Sequence, residues 1–266
     1  MISYVPLVDY SKQLSIKEGE HIFISSDAKT LMLDALENDA SMDLNLFIDG
    51  LINAVGNNGT IVFPTYNWDF CRGKPFHYKK TLCKTGALGT LALKRKDFRR
   101  TRHPIYSFAV YGKYQKDLCD MKNTDSFGVD SPFSFMHNNN FINYIIDVPF
   151  QHCFTFLHYV EEVSGAVSYR YMKDFTADYT YGDNITEQRT YSMFVRDLNK
   201  DVESTVDPIE ADFLMRGAEL KFKVNNSEIK RVDLAKAFSI VLDDILHNDA
   251  RKLCRFKGQR LEESGL

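Results

Sequence analysis

This chain of 266 residues lacks most features that announce a function class. It has no apolar run near the ~20 residues that a membrane-spanning helix needs. It has no basic excess: 33 lysines and arginines face 36 aspartates and glutamates, for a net charge of −3. That balance gives no support for a nucleic-acid or other polyanionic partner. The five cysteines show no CxxC spacing. An odd number of cysteines, with no apolar leader over residues 1–17, predicts reduced thiols in a cytoplasmic protein. The sequons at Asn58, Asn184 and Asn225 then carry no meaning. His152 and His158 are six residues apart and no HxxxH pattern occurs, so no metal site is expected. There is no G-x-S-x-G elbow, no G-x-G-x-x-G fingerprint and no P-loop, which argues against an α/β-hydrolase and against nucleotide-driven chemistry. No repeat, low-complexity tract or shift in composition marks a linker. One domain over residues 1–250, followed by a charged and fraying tail at 251–266, is the expected organisation.

What is present reads as alternating strands and helices. Residues 21–26, His-Ile-Phe-Ile-Ser-Ser, form a short apolar run after Glu18-Gly19-Glu20. This predicts a buried strand with Ser25 and Ser26 at its C-terminal edge. Leu44, Phe47, Ile48, Leu51, Ile52 and Val55 recur at helical spacing, with Ser41 or Asp43 at the start and Gly56 past the end. Residues 60–64 are the next strand. Strand, helix, strand is a βαβ unit and predicts parallel pairing. Residues 65–85 read as a long loop rich in aromatic and basic residues, and loops over ~15 residues often carry function. A short helix over 86–96 and strands at 108–111 and 144–148 follow. Residues 168–178 show no clean period, 189–196 alternates loosely as a strand, and 211–216 reads as a short helix. Residues 220–232 predict a hairpin turning at Asn225-Asn226. The apolar face from Leu234 to Leu246 predicts a strong amphipathic helix capped by Asp233.

The most informative stretch is Phe154-Thr-Phe-Leu-His-Tyr-Val-Glu-Glu162. Phe154, Leu157 and Val160 predict a mostly buried helix, on which His158 and Glu161 share one face. A polar pair on such a helix needs a reason. A histidine oriented by a carboxylate is a general base with a pKa near neutrality. The plain alternative is a satisfied core histidine.

Seven segments together carry a resemblance. They are Ile24-Ser25-Ser26, Gly59-Thr-Ile-Val-Phe-Pro-Thr65, Asn67-Trp68-Asp69-Phe70, Lys84-Thr85-Gly86-Ala87-Leu88, Arg102-His103-Pro104-Ile-Tyr106-Ser107-Phe108, Ser131-Pro132, and the His158 helix. In this order and spacing the chain resembles the aminoglycoside 3-N-acetyltransferase (antibiotic N-acetyltransferase) family over roughly residues 15–250. The resemblance implies a three-layer α/β/α fold with a central, largely parallel sheet, distinct from GNAT acetyltransferases. It implies acetyl-CoA as donor and an amine as acceptor. The chain departs from the family pattern at Tyr106, where a histidine is common, at Cys83, where serine or threonine is common, and at Asp27, where leucine is frequent. The 67–80 loop and residues 169–178 look more like relatives associated with bacterial surface-polysaccharide synthesis, which would acylate an amino sugar on a nucleotide carrier.

These readings assign roles. His158 is the expected base and Glu161 its orienting partner. Ser25, Ser26, Lys84, Thr85, Gly86, Arg102 and Ser107 are the expected donor contacts, with strand capping, an ordinary helix start and a solvated basic face (Arg95, Arg99, Arg100, Arg102) as plain alternatives. Tyr66, Trp68 and Asp69 are expected at the acceptor, and Arg170 and Lys173 at its diphosphate. His103 is a second-choice base, Glu162 a surface or salt-bridge residue, and Cys153 and Cys83 leave a covalent route formally open. Two rivals stand beside this reading. A drug-modifying enzyme of the same chemistry would favour an acidic cleft for a polycation, whereas residues 67–84 carry Arg72, Lys74, Lys79, Lys80 and Lys84 against Asp69 alone. A non-catalytic CoA-binding relative would be expected to have lost the His158–Glu161 pair. Oligomeric state leaves no mark on the sequence.

Overall fold

The computed structural model describes residues 4–182 and 185–256. Its strands are β1 (His21–Ser26), β2 (Thr60–Pro64), β3 (Phe76–His77), β4 (Arg99–Arg100), β5 (Phe108–Gly112), β6 (Ile142–Ile146), β7 (Arg170–Tyr181), β8 (Ile185–Arg196), β9 (Val202–Ser204), β10 (Glu219–Val224), β11 (Ser227–Asp233) and β12 (Cys254–Phe256). Seven of them form one sheet in the order β10-β11-β6-β1-β2-β5-β4. Its centre, β6-β1-β2, is parallel. The flanks on both sides pair antiparallel. The expected α/β fold is present, with the β1–helix–β2 unit that the sequence predicts.

Alternation along the strands divides the core in two. Ile22, Ile24, Ile61, Phe63, Tyr144 and Ile146 point to one side, with buried residues of the Leu7–Gln13, Leu44–Val55 and Ala87–Ala92 helices. Phe23, Val62, Val110 and Ile145 point to the other, with the Pro132–Asn138, Phe156–Ser164 and Leu234–His247 helices. Burial on both faces is why the central strands read as unbroken apolar runs. The result is three layers, α/β/α.

Local signals hold where chemistry is local. Asp43 and Asp233 cap their helices, Asp43 accepting from the Asn45 amide and Asp233 from Ala235 and Lys236. Asn225 turns the β10–β11 hairpin at φ +52°. Other expectations shift. The helix placed at 86–96 spans only Ala87–Ala92. Residues 168–178 were without a clean period, yet β7 pairs with β8 along twelve residues. Much of this hairpin is exposed on both faces, so no single face imposes an apolar alternation. Cys254–Phe256, inside the stretch expected to fray, pairs with β9. The rest of that stretch, from residue 257, lies outside the described residues, as does the Asn184 sequon.

Residues 65–85 are a tethered segment and not an open loop. Arg100 is buried beneath it. Its guanidinium donates to Ser107 Oγ (3.0 Å), Thr81 O (2.5 Å), Tyr78 O (3.3 Å) and Thr65 O (3.3 Å), and lies 4.9 Å over the Phe76 ring. Burial lowers its pKa to about 10. The solvated basic face read from the sequence is therefore corrected at Arg100.

Candidate active site

A cavity of about 530 Å³ opens beyond the C-terminal ends of the parallel strands. Ligands of open α/β sheets bind at such strand ends. Ser25 and Ser26 of β1, Pro64 of β2 and Val148 after β6 line it. Tyr66, Trp68, Lys84, Thr85 and Gly86 come from the tethered segment. Thr85 holds that segment to the end of β2: its hydroxyl donates to Pro64 O (3.0 Å) and accepts from the Tyr66 amide (3.1 Å). Gly86 has φ +111°, a conformation that L residues rarely adopt, and a Cβ there would stand 3.3 Å from Ser26 O. Glycine lets the segment close on the strand. The cavity is largely apolar, with the exposed Lys29 and half-exposed Lys84 on its wall.

A second cavity of about 340 Å³ lies beside it. Trp68, His152, Cys153 and Thr155 line both. His158 opens only into the second, together with Tyr106, Arg170, Arg196 and Ser204. Among the described residues, no carboxylate lines this second cavity.

The histidine is held by a buried carboxylate. His158 Nδ1 is 2.7 Å from Glu161 Oε2, and the imidazole is 25% exposed while the carboxylate is 1% exposed. Arg170 Nε also lies 2.7 Å from Glu161 Oε2, and Tyr169 donates to Oε1 at 2.8 Å. Burial alone would raise the Glu161 pKa, but the hydrogen bonds from His158 and Tyr169 and the Arg170 charge outweigh it and hold the group below the usual carboxylate range. An ionised Glu161 accepts hydrogen bonds only, so His158 Nδ1 carries the proton and Nε2 keeps its lone pair. Burial, then the Arg170 charge, lowers the His158 pKa despite Glu161. The imidazole is neutral at pH 7. An edge-to-face contact with Phe127 at 5.3 Å packs the ring.

The other candidates divide. Tyr66, Trp68, Ser25, Ser26, Lys84, Thr85, Gly86 and Arg170 all reach one of the two cavities. Trp68 is positioned by its Nε1, which donates to Tyr106 Oη at 3.2 Å. Asp69 lines neither cavity; it pairs with Lys84 at 2.7 Å and lies near Lys74 and Arg72. Arg102 faces a separate groove with Lys122 and Arg189, pairs with Asp120 at 3.6 Å and stacks 4.9 Å over Tyr181. Ser107 is buried on Thr65 and Arg100. Lys173 is exposed on β7. His103 accepts the Ile105 and Tyr106 amides at Nδ1, and burial lowers its pKa to about 3. Burial raises the Cys153 thiol to about 12. Glu162 is half-buried, and burial followed by a hydrogen bond to Asp125 raises its pKa to about 9.

Sequence reasoning missed Gln151, His152, Thr155, Arg196 and Ser204 as lining residues. Thr155 adjoins the His158 helix and was within reach of the motif. Arg196 and Ser204 arrive through β8 and β9; the loose alternation over 189–196 predicts the first strand but not which side chain it brings to His158. Among the described residues, no group of three or more His, Cys, Asp or Glu could hold a metal, and no helix is long and apolar enough to cross a membrane.

A family model described as aminoglycoside 3-N-acetyltransferase matches residues 33–244. Among solved structures, the chain is similar to aminoglycoside acetyltransferase AAC(3)-Xa, with a TM-score of 0.75 at 18% identity over 91% of this chain and 93% of that one. It is similar to AAC-IIIb in its binary complex with CoASH, with a TM-score of 0.74 at 16% identity over 91% and 97%. It is similar to the YokD protein from Bacillus subtilis, with a TM-score of 0.71 at 17% identity over 91% and 98%. At these identities the likeness is one of fold. No curated protein matches the chain.

Proposed function

The chain belongs to the aminoglycoside 3-N-acetyltransferase family, and from that premise we propose direct acetyl transfer to the amine of a nucleotide-linked amino sugar, with His158 as general base. Membership makes it an acyl-CoA-dependent N-acetyltransferase that uses acetyl-CoA. The larger cavity suits the donor: an apolar trough at the strand ends for the pantetheine arm, with Ser25, Ser26 and Thr85 as polar contacts and Lys29 and Lys84 for phosphate.

Transfer moves an acetyl group from sulfur to nitrogen. The C–S bond breaks, a C–N bond forms, the thiolate leaves, and the amine gives up a proton. The neutral His158 Nε2 takes that proton. Glu161 fixes the tautomer and stabilises the imidazolium as it forms, the role of the carboxylate in a catalytic triad. Base catalysis of this kind contributes roughly 10²–10⁴-fold. No thiol intermediate is needed, and the raised Cys153 pKa disfavours one. The observation that carries this reading is the 2.7 Å His158–Glu161 pair, opening beside a donor-sized cavity.

The acceptor assignment rests on charge. An aminoglycoside polycation would want carboxylates, and none lines the second cavity among the described residues, while Arg170 and Arg196 do. The family match favours a second reading, an antibiotic acceptor. A cytoplasmic location is part of this proposal, supported by the acetyl-CoA donor and by cysteines that form no disulfide. Thiol release from acetyl-CoA, wild type against His158→Ala, tests both readings on a panel of nucleotide-linked amino sugars and aminoglycosides. Turnover on the nucleotide sugars that is lost in the variant is expected. Turnover on aminoglycosides alone would establish the second reading, and near wild-type rates in the variant would exclude His158 as the base.

A further inference from the structure

Arg170 and Arg196 stand directly opposite each other at the end of the β7–β8 ladder. Opposed residues of an antiparallel pair share a face, with Cβ atoms about 5 Å apart, and like charges so placed are destabilising. Arg170 is neutralised: it is 6% exposed, pairs with Glu161, and donates to Phe194 O (3.3 Å) and Ser204 Oγ (3.5 Å). Arg196 is half-buried on the wall of the His158 cavity. Among the described residues its guanidinium has no hydrogen-bond or ion-pair partner. With Glu161 balanced by Arg170, and His158 neutral, Arg196 leaves this cavity one positive charge in excess.

We propose that Arg196 is a specificity-determining residue that binds a phosphoryl group of the acceptor, an inference that rests on the acceptor reading above. A guanidinium fork matches two phosphate oxygens. A bound phosphoryl group would screen the Arg170–Arg196 repulsion and fill the donor set that Arg196 leaves unused. Arg170 is already committed to Glu161, so discrimination falls on Arg196. The same cation repels a polycationic amine, which gives selectivity against aminoglycosides as well as for phosphorylated acceptors.

The test compares kcat/KM on three acceptors: a free amino sugar, the same sugar as a monophosphate, and the sugar on a nucleoside diphosphate. Wild type is expected to favour one or both phosphorylated acceptors over the free sugar by about 10- to 100-fold, the range of a charge-assisted hydrogen-bonded contact. The favoured arm identifies sugar phosphate or nucleotide diphosphate as the source. Arg196→Met is expected to collapse the preference through KM, and Arg196→Lys to restore part of it. Equal preference in wild type and Arg196→Met, or a wild-type preference for the free sugar or an aminoglycoside, overturns the inference while leaving acetyl transfer intact. If no amine turns over, the acetyl-transfer reading fails, and calorimetric binding of inorganic pyrophosphate still decides the role of Arg196. Binding at least tenfold weaker in Arg196→Met supports it; equal binding, or none in wild type, overturns it.

Discussion

Replacing Glu161 by glutamine isolates the orienting carboxylate while keeping its shape. Glu161 takes hydrogen bonds from two donors, His158 Nδ1 at 2.7 Å on one oxygen and Tyr169 at 2.8 Å on the other, and Arg170 Nε forms an ion pair 2.7 Å from the first oxygen. An amide offers one acceptor oxygen. In the place of Oε2 that oxygen still accepts from His158 Nδ1 and faces Arg170 Nε, while the NH₂ donates to Tyr169 Oη; the reverse placement would set the NH₂ against two donors. The tautomer is therefore kept, and what is lost is the negative charge that stabilises the imidazolium. A loss in kcat of roughly 10- to 100-fold is expected, the range of a hydrogen bond to a charged group. The KM for acetyl-CoA should hold within about threefold, because Glu161 does not line the donor cavity. Arg170 also loses its counter-ion while 6% exposed, which costs about 3 kcal/mol, the low end for breaking a buried ion pair. For a domain of this size, that is a fall in Tm of roughly 6–12 °C. Thiol release measured well below the variant's Tm separates the two effects. Glu161→Gln that loses stability but keeps kcat within threefold of wild type would refute a role for the Glu161 charge in catalysis and leave Glu161 a structural anion.

Other outcomes follow from the same geometry. The acid limb of the kcat/KM profile should fall below the ordinary histidine value of about 6.5, because burial and Arg170 lower the His158 pKa; a limb above 7 would contradict this. Glu162 is protonated in the folded state up to about pH 9 but ionises near 4.5 when unfolded, so its cost to stability grows as pH rises from 4.5 toward 9. Glu162→Gln should therefore gain Tm over wild type progressively between pH 5 and 8, and a pH-independent difference would count against the assignment. Arg100→Met should lose about 2–5 kcal/mol in denaturant unfolding, because several buried carbonyls lose their donor, and should raise the KM for acetyl-CoA as the 65–85 segment loosens. Cys153→Ala should retain turnover within a few-fold, and mass spectrometry of wild type with acetyl-CoA alone should find no acetylated cysteine; an acetyl-Cys153 adduct would replace direct transfer with a covalent route.

The cavity at the strand ends was legible to the extent that it is local. Ser25, Ser26, Thr85 and Gly86 sit at strand and helix boundaries, where apolar runs break against polar or glycine residues. His158 and Glu161 were legible because one helical turn sets their spacing. Arg100 was not, since a run of arginines looks solvated until three carbonyls from a distant segment close on it. Asp69 shows the converse: a carboxylate among aromatics suggests an amine site, yet neighbouring lysines neutralise it. β7 and its pairing with β8 escaped for a physical reason, as strands exposed on both faces need no apolar alternation, while 189–196 of β8 was legible as a strand.

By itself the sequence determined the parallel centre of the sheet, the capped helices on either side, and the pairing of His158 with Glu161 on one helix face. Each of these depends on contacts a few residues apart or on the burial of one continuous apolar run. Only the tertiary structure decided that Tyr169 and Arg170 complete the Glu161 shell, that Arg196 is left uncompensated beside His158, and that Arg102 and Ser107 stand away from both cavities. Those outcomes depend on which strands pair and in what register, and long-range pairing is chosen by the packing of the whole chain.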